Sequence, residues 1–354
     1  MNSAAARRPG LVRRRLPRGV ARTRSPRAMG FGVALGGLLL AVAASLAIGS
    51  NMLPPATVVD ALTGQPVSAQ EHAIVMELRG PRTIIGVLAG MAFGLSGALL
   101  QGLTRNPLAD PSILGISTGA SFAAAVAVYA FGVTTIYASI WFAFAGAALG
   151  GGLAYAVGGV GRDGASPLKL ALAGAAVTAL FSSLISFILT VDLRTLDVMR
   201  FWLVGSLAGR GGGVAAQVWP FVAVGVAAAL ACGRLLNAMA LGEDVARSQG
   251  LRLGQARAFV GVTAVLLAGA ATAAAGPIVF VGLTVPHIAR AIVGPDYRWI
   301  LLYCLALSPT LLLAADVLGR VVGSPGEIQV GVVTAVVGAP LFVVLVRRRR
   351  LAEL

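Results

Sequence analysis

Residues 83–101 read TIIGVLAGMAFGLSGALLQ, nineteen consecutive positions without a charge. At 1.5 Å per residue a helix of this length reaches about 28 Å, close to the roughly 30 Å of a bilayer core. Backbone polar groups in lipid must be paired within the segment, so the run is expected to be a helix. Gly86, Gly90 and Gly94 recur every fourth position. Small residues at that spacing let two helix backbones approach closely.

Working outward, the same pattern repeats. Ten apolar segments are expected, at 30–50, 83–101, 112–131, 136–160, 168–190, 214–236, 257–275, 278–293, 299–319 and 328–346. The eighth is short and carries Pro286, which predicts a bent or partial span. Gly146, Gly150, Ala154 and Gly158 form a second small-residue stripe. The chain is 57% hydrophobic and 12% charged, against about 25% charged in a soluble domain, and its mean hydropathy is +0.87. The fold class expected is an all-α membrane protein.

The net charge of +15 does not point to nucleic acid. Nine arginines lie between Arg7 and Arg27 and four more at Arg347–Arg350; without them the charge is about +2. Basic ends flanking apolar segments suit cytoplasmic tails beside anionic lipid. An even number of crossings puts both termini on one side. With that side cytoplasmic, 22 of the 28 basic residues lie inside. Arg79, Arg82, Arg194, Arg200, Arg210 and Arg320 lie outside. Residues 1–28 are read as a basic disordered tail, 29–346 as the transmembrane domain, 237–256 as a long cytoplasmic loop, and 347–354 as a basic end.

The residues suggest no catalytic constellation. His72 and His287 are not in metal-ligand spacing, and Cys232 and Cys304 read as small apolar helix residues. The one lysine, Lys169, is not in a GxxxxGK[ST] loop, so ATP energy is expected from a partner. No cofactor or metal is expected on this chain. Thr178, Ser182 and Ser186 share a helix face, with Ser183 adjacent; they line either a wet path or a helix contact. Asp316 precedes Arg320 by four residues, so the two can pair on one face. An ion-coupled secondary transporter is the alternative class, and Asp316 would be its coupling acid.

Several long stretches, in order, carry a resemblance. Arg79-Gly-Pro-Arg82 leads into SGALLQGLTRNPLADPSILGISTGAS (96–121). LKLALAGAAVTALFSSLISF (168–187), FWLVGSLAG (201–209) and ALGEDVARSQGLRLGQAR (240–257) follow. AGPIVFVGLTVPHIARAIVG (275–294), AADVLGR (314–320) and GVVTAVVGAPLFVVLVRRRR (331–350) complete the set. From about residue 30 to 350 the chain resembles the iron-chelate permease family of ABC importers, the FecCD-like family, which includes the cobalamin permeases.

That resemblance implies a type II ABC importer permease fold with about ten helices, in the cytoplasmic membrane. It implies two permease subunits, identical or related, around a path, with two cytoplasmic ATPase subunits using ATP and a substrate-binding protein outside. The cargo implied is a ferric siderophore, with haem or cobalamin as alternatives. By the same resemblance Glu243, Asp244, Arg247 and Gly250 would couple to the ATPase. Arg79, Arg82 and Arg320 would be sockets for glutamates of the binding protein; interfacial anchoring is the other reading of Arg79 and Arg82. Asn106 and Leu108 would belong to a cytoplasmic gate, and Ser182 and Ser183 to a second constriction.

Overall fold

A computed structural model describes residues 24–133, 135–160 and 167–348. Most of the arginine-rich tail, Arg162 and the last six residues lie outside them.

The described chain is helical. α1 (Arg24–Ala47) starts ahead of its apolar run and is followed by the short α2 (Pro55–Thr63). α3 (Ala69–Ala73) opens on a capping box, in which the Ser68 hydroxyl accepts from the Glu71 N–H and the Glu71 carboxylate accepts from the Ser68 N–H. It passes through a π-helical segment, Ile74–Arg79, directly into α4 (Gly80–Thr104). The stretch 51–81 is therefore largely helical, and 69–104 is one rod of 36 residues.

α5 (Ile116–Phe131), α6 (Ile136–Gly158) and α7 (Pro167–Val191) follow. α5 starts four residues later than its apolar run because Asp110–Gly115 is a turn closed by left-handed Gly115. α8 (Leu193–Leu203) is an additional helix after α7. Its N-cap Asp192 accepts from the Thr195 N–H at 3.0 Å and from its hydroxyl, which holds the carboxyl below its usual range. α9 (Gly212–Ala240), the short α10 (Glu243–Ser248), α11 (Leu253–Ala275), α12 (Val281–Val293), α13 (Tyr297–Val322) and α14 (Val330–Arg348) complete the chain.

The ten expected segments correspond to α1, α4, α5, α6, α7, α9, α11, α12, α13 and α14. Among the described residues, seven spans are long and apolar enough to cross a membrane, while α5, α12 and the apolar part of α14 are shorter. The 13-residue α12 contains Pro286, as its partial span requires.

α4 is the buried centre, packed by α9, α11, α12 and α13. Its glycine stripe sets the distance to α13. A Cβ on Gly90 would lie 2.4 Å from the Pro309 Cα, and one on Gly94 1.7 Å from the Ser308 Oγ. The second stripe joins α6 to the start of α5: Gly146 faces the Gly119 carbonyl and Gly150 that of Gly115, each 2.2 Å from where a Cβ would stand. Lipid gives helices little hydrophobic reason to associate, so this close backbone contact carries much of the cohesion.

Candidate functional site

Three clusters hold the residues singled out in the sequence. The first is at the C-terminal ends of α1 and α13 and the N-terminal end of α4. The last four carbonyls of a helix lack intrahelical partners. In α1 the Ala44 carbonyl accepts from the Ile48 N–H at 2.8 Å and the Ala47 carbonyl from the Leu53 N–H at 3.1 Å, and arginines add to these. Arg320 donates to the Ser45 carbonyl at 3.0 Å. Arg79 donates to the Leu46 and Ala47 carbonyls, each at 2.8 Å, and to that of Asn51. Two arginines expected to be docking sockets thus cap α1, and their charge suits the negative end of its dipole.

The third, Arg82, binds the Asp316 carboxylate through Nε and Nη2 at 2.8–3.2 Å and Glu327 through Nη1 at 2.7 Å. Arg320 reaches the other side of Asp316 at 3.3 Å, as the four-residue spacing anticipates. Ser45 ties in through Thr83 at 2.7 Å. Asp316 is 1% exposed and Arg320 2%. Arg79, Arg82, Arg320 and Glu327 line a cavity of about 170 Å³. Asp316 is held by two guanidinium groups, which leaves it poorly suited to cycle as the free coupling acid of a secondary transporter. Glu327 was missed because it lies beyond the apolar helix, in a loop without periodicity.

Nearby, Arg210 is buried in the loop before α9, and its nearest described partner is the Ser206 carbonyl at 3.5 Å. Burial without a carboxylate lowers its pKa to about 10.

The second cluster is α10 and its flanks. Gly242 and Gly250 bracket the helix at φ 113° and 80°, left-handed values that favour glycine. Ala246 is buried and seats the helix, while Asp244, Arg247, Leu241 and Val245 are exposed. Glu243 accepts from Arg257 at the start of α11 and from Arg247 at 3.5 Å. The bond and charge of Arg257 hold its carboxyl below the usual range. The structure therefore places Glu243, Asp244, Arg247 and Gly250 together, and adds Arg257 as the strut between α10 and α11.

The third cluster follows α4. Arg105 is left-handed at φ 50° and donates to the Met239 carbonyl at 2.5 Å. Asn106 closes a turn by accepting from the Leu108 N–H at 2.9 Å. The Pro107 carbonyl lies 2.7 Å from the His287 Nε2, which pins this loop to α12. Asp110 is buried, which raises its pKa against the opposing bonds from Ser112. On α7 the expected polar face divides. Thr178 donates to the Ser112 carbonyl at 3.4 Å, a helix contact. Ser182, Ser183 and Ser186 are exposed, beside exposed Phe187.

Apolar spans joined by glycine seams define a multi-pass helical membrane protein, and the solved structure described below gives it the type II ABC importer permease fold. The chain belongs to the FecCD transport family, whose sequence model matches residues 37–348. It is 44% identical over 313 residues to the ferric enterobactin transport system permease protein FepD of Escherichia coli, covering 88% of this chain and 93% of that protein. It is 39% identical over 311 residues to the probable siderophore transport system permease protein YfiZ of Bacillus subtilis, with the same coverage of each. A solved structure described as a metal-chelate type ABC transporter in an inward-facing conformation superposes with a TM-score of 0.79 at 26% identity, covering 91% of this chain and all of that one. This is a permease family and not an enzyme family, and such a permease works with ATPase and substrate-binding partners.

Proposed function

We propose that this chain forms the membrane path of an ATP-driven importer for ferric siderophores. The observation that carries the reading is the 44% identity to a ferric enterobactin permease over 88% of the chain. Haem and cobalamin are the alternative cargoes.

In this reading two permease subunits, identical or related, enclose the path, and the exposed serine face of α7 is turned toward it. Both termini and α10 are cytoplasmic. The exposed charges of α10, with Leu241 and Val245 between them, offer a compact knob for an ATPase cleft. Alternating access follows when ATP-driven closure of two ATPases moves α10, and the Glu243–Arg257 strut passes that movement to α11. Asn106 and Leu108 close the inner end. Outside, the cavity at Arg79, Arg82 and Arg320 receives carboxylates of the substrate-binding protein. Such a carboxylate would compete with Glu327 for Arg82.

The test is uptake of radiolabelled ferric siderophore by a deletion strain under iron limitation, with and without the restored gene. Restored, ATP-dependent uptake supports the reading. Uptake of haem or cobalamin alone would replace the cargo, and dependence on a proton gradient in place of ATP would sink the mechanism.

A further inference from the structure

A groove of about 500 Å³ lies away from the outer cluster and the serine face. It runs between α4, α6 and α11 and is closed by the starts of α5 and α7. On α11 its lining extends from Arg257 to Leu266, and on α6 from Tyr155 to Phe144. At 1.5 Å per residue these walls are about 14 and 16 Å long. Half of a bilayer core is about 15 Å. The groove therefore has the depth of one leaflet.

Its two ends differ. The deep wall is built from Phe144, leucines, valines, glycines and alanines. The mouth carries Arg257, 38% exposed, and exposed Tyr155. Arg257 and Arg247 both donate to the Glu243 carboxylate, so two guanidinium groups meet one carboxylate and leave positive charge at this end, while the other acid of α10, Asp244, is exposed. The N-terminus of α11 adds to it, since its N-cap Arg252 offers no side-chain acceptor.

We propose that this groove is a binding site for one anionic phospholipid of the leaflet on the α10 side. An acyl chain fills the trough and the headgroup phosphate lies at Arg257. A zwitterionic headgroup brings its own ammonium to a mouth already in cationic excess, so an anionic lipid is selected. The phosphate competes with Glu243 for Arg257, so occupancy bears on how firmly α10 is strutted to α11. Naming the leaflet as cytoplasmic rests on the orientation proposed above; the site does not.

Native mass spectrometry of the purified chain, titrated with phosphatidylglycerol or phosphatidylcholine, tests this without ATPase, binding protein or siderophore. Its failure is thus separate from failure of the transport reading. The wild-type chain is expected to bind phosphatidylglycerol at least fivefold more tightly. Gly152→Leu with Gly261→Leu fills the trough, because a Cβ at 152 meets nothing within 4 Å and one at 261 meets only Leu103 at 3.7 Å. Leucine also favours helix over glycine, so folding is retained. This pair should weaken phosphatidylglycerol binding at least fivefold. Arg257→Gln, which leaves the trough open, should bring phosphatidylglycerol down to the phosphatidylcholine level. Equal binding of both lipids by the wild type, or binding indifferent to the two leucines, overturns the proposal. So does a disulfide between two copies bearing Gly152→Cys, which would show a second permease on this face.

Discussion

The Arg82 guanidinium holds the Asp316 carboxylate through three hydrogen bonds of 2.8–3.2 Å, joining the start of α4 to the end of α13 across 234 residues. Removing one partner of a buried pair leaves an uncompensated charge and costs about 3–5 kcal/mol. Asp316→Asn is expected to lose stability on that scale in a detergent thermal melt. Glu327→Gln, whose side chain is 36% exposed, should cost under about 1 kcal/mol. Equal effects would show that the network is not organised around Asp316.

Arg79 gives a related warning about docking experiments. Its donation to two α1 carbonyls and to Asn51 means that Arg79→Ala leaves the half-buried Leu46 carbonyl without this partner, while the Ala47 carbonyl keeps the Leu53 N–H at 3.1 Å, at about 1–3 kcal/mol. Arg79→Ala should lower both the melting temperature and binding-protein affinity, whereas Glu327→Gln should raise affinity by freeing Arg82. Affinity unchanged in Glu327→Gln would remove Arg82 from the docking site.

Two neighbouring glycines on α6 should respond oppositely. A Cβ on Gly150 would stand 2.2 Å from the Gly115 carbonyl, but one on Gly152 meets nothing within 4 Å. Gly150→Leu should therefore abolish the stable monodisperse protein in size-exclusion chromatography, and Gly152→Leu should leave it intact.

The Glu243–Arg257 strut carries a defined pH dependence. Arg257 depresses the Glu243 pKa in the folded chain. The strut's contribution is therefore complete above the unfolded carboxylate value of about 4.3 and is lost as pH falls through the lower folded value. Hydrogen exchange across 243–251, taken relative to the intrinsic rate at each pH, should accelerate only in that acid window. In Glu243→Gln it should already be fast at pH 7, and uptake should fall at least tenfold while ATP hydrolysis continues. Paired Glu243→Arg and Arg257→Glu should restore slow exchange.

On α7, Ser182→Cys, Ser183→Cys and Ser186→Cys should react with a water-soluble thiol reagent in the assembled importer. Thr178→Cys, turned toward Ser112, should not. Protection of all three serine positions would favour a permanent helix contact over a wet path.

Much of this molecule is legible without coordinates because the relevant physics is local. Length and hydropathy specify each span, and lipid obliges each span to be helical. Small residues every fourth position mark the seams, and α4 and α6 carry them where expected. The Asp316–Arg320 pair was readable because one turn of helix brings such residues together. Helix ends were less legible: the Asp110–Gly115 turn shortens α5, and the capping box and π-helical segment extend α4 at its N-terminal end. Those features depend on capping and turn geometry that hydropathy does not report.

What the sequence alone determined is the class of protein, its ten apolar segments and the absence of an obvious catalytic set among its motifs. The tertiary structure decided which charges meet. Arg82 and Asp316, or Glu243 and Arg257, lie on different helices, and no periodicity within one helix relates them. The Glu243–Arg257 pairing follows from the turn at left-handed Gly250 that folds α10 back on α11, and the Arg82–Asp316 pairing from how closely the glycine seam lets α4 approach α13. That packing also turns arginines with the spacing of an exposed rim inward, where they cap α1.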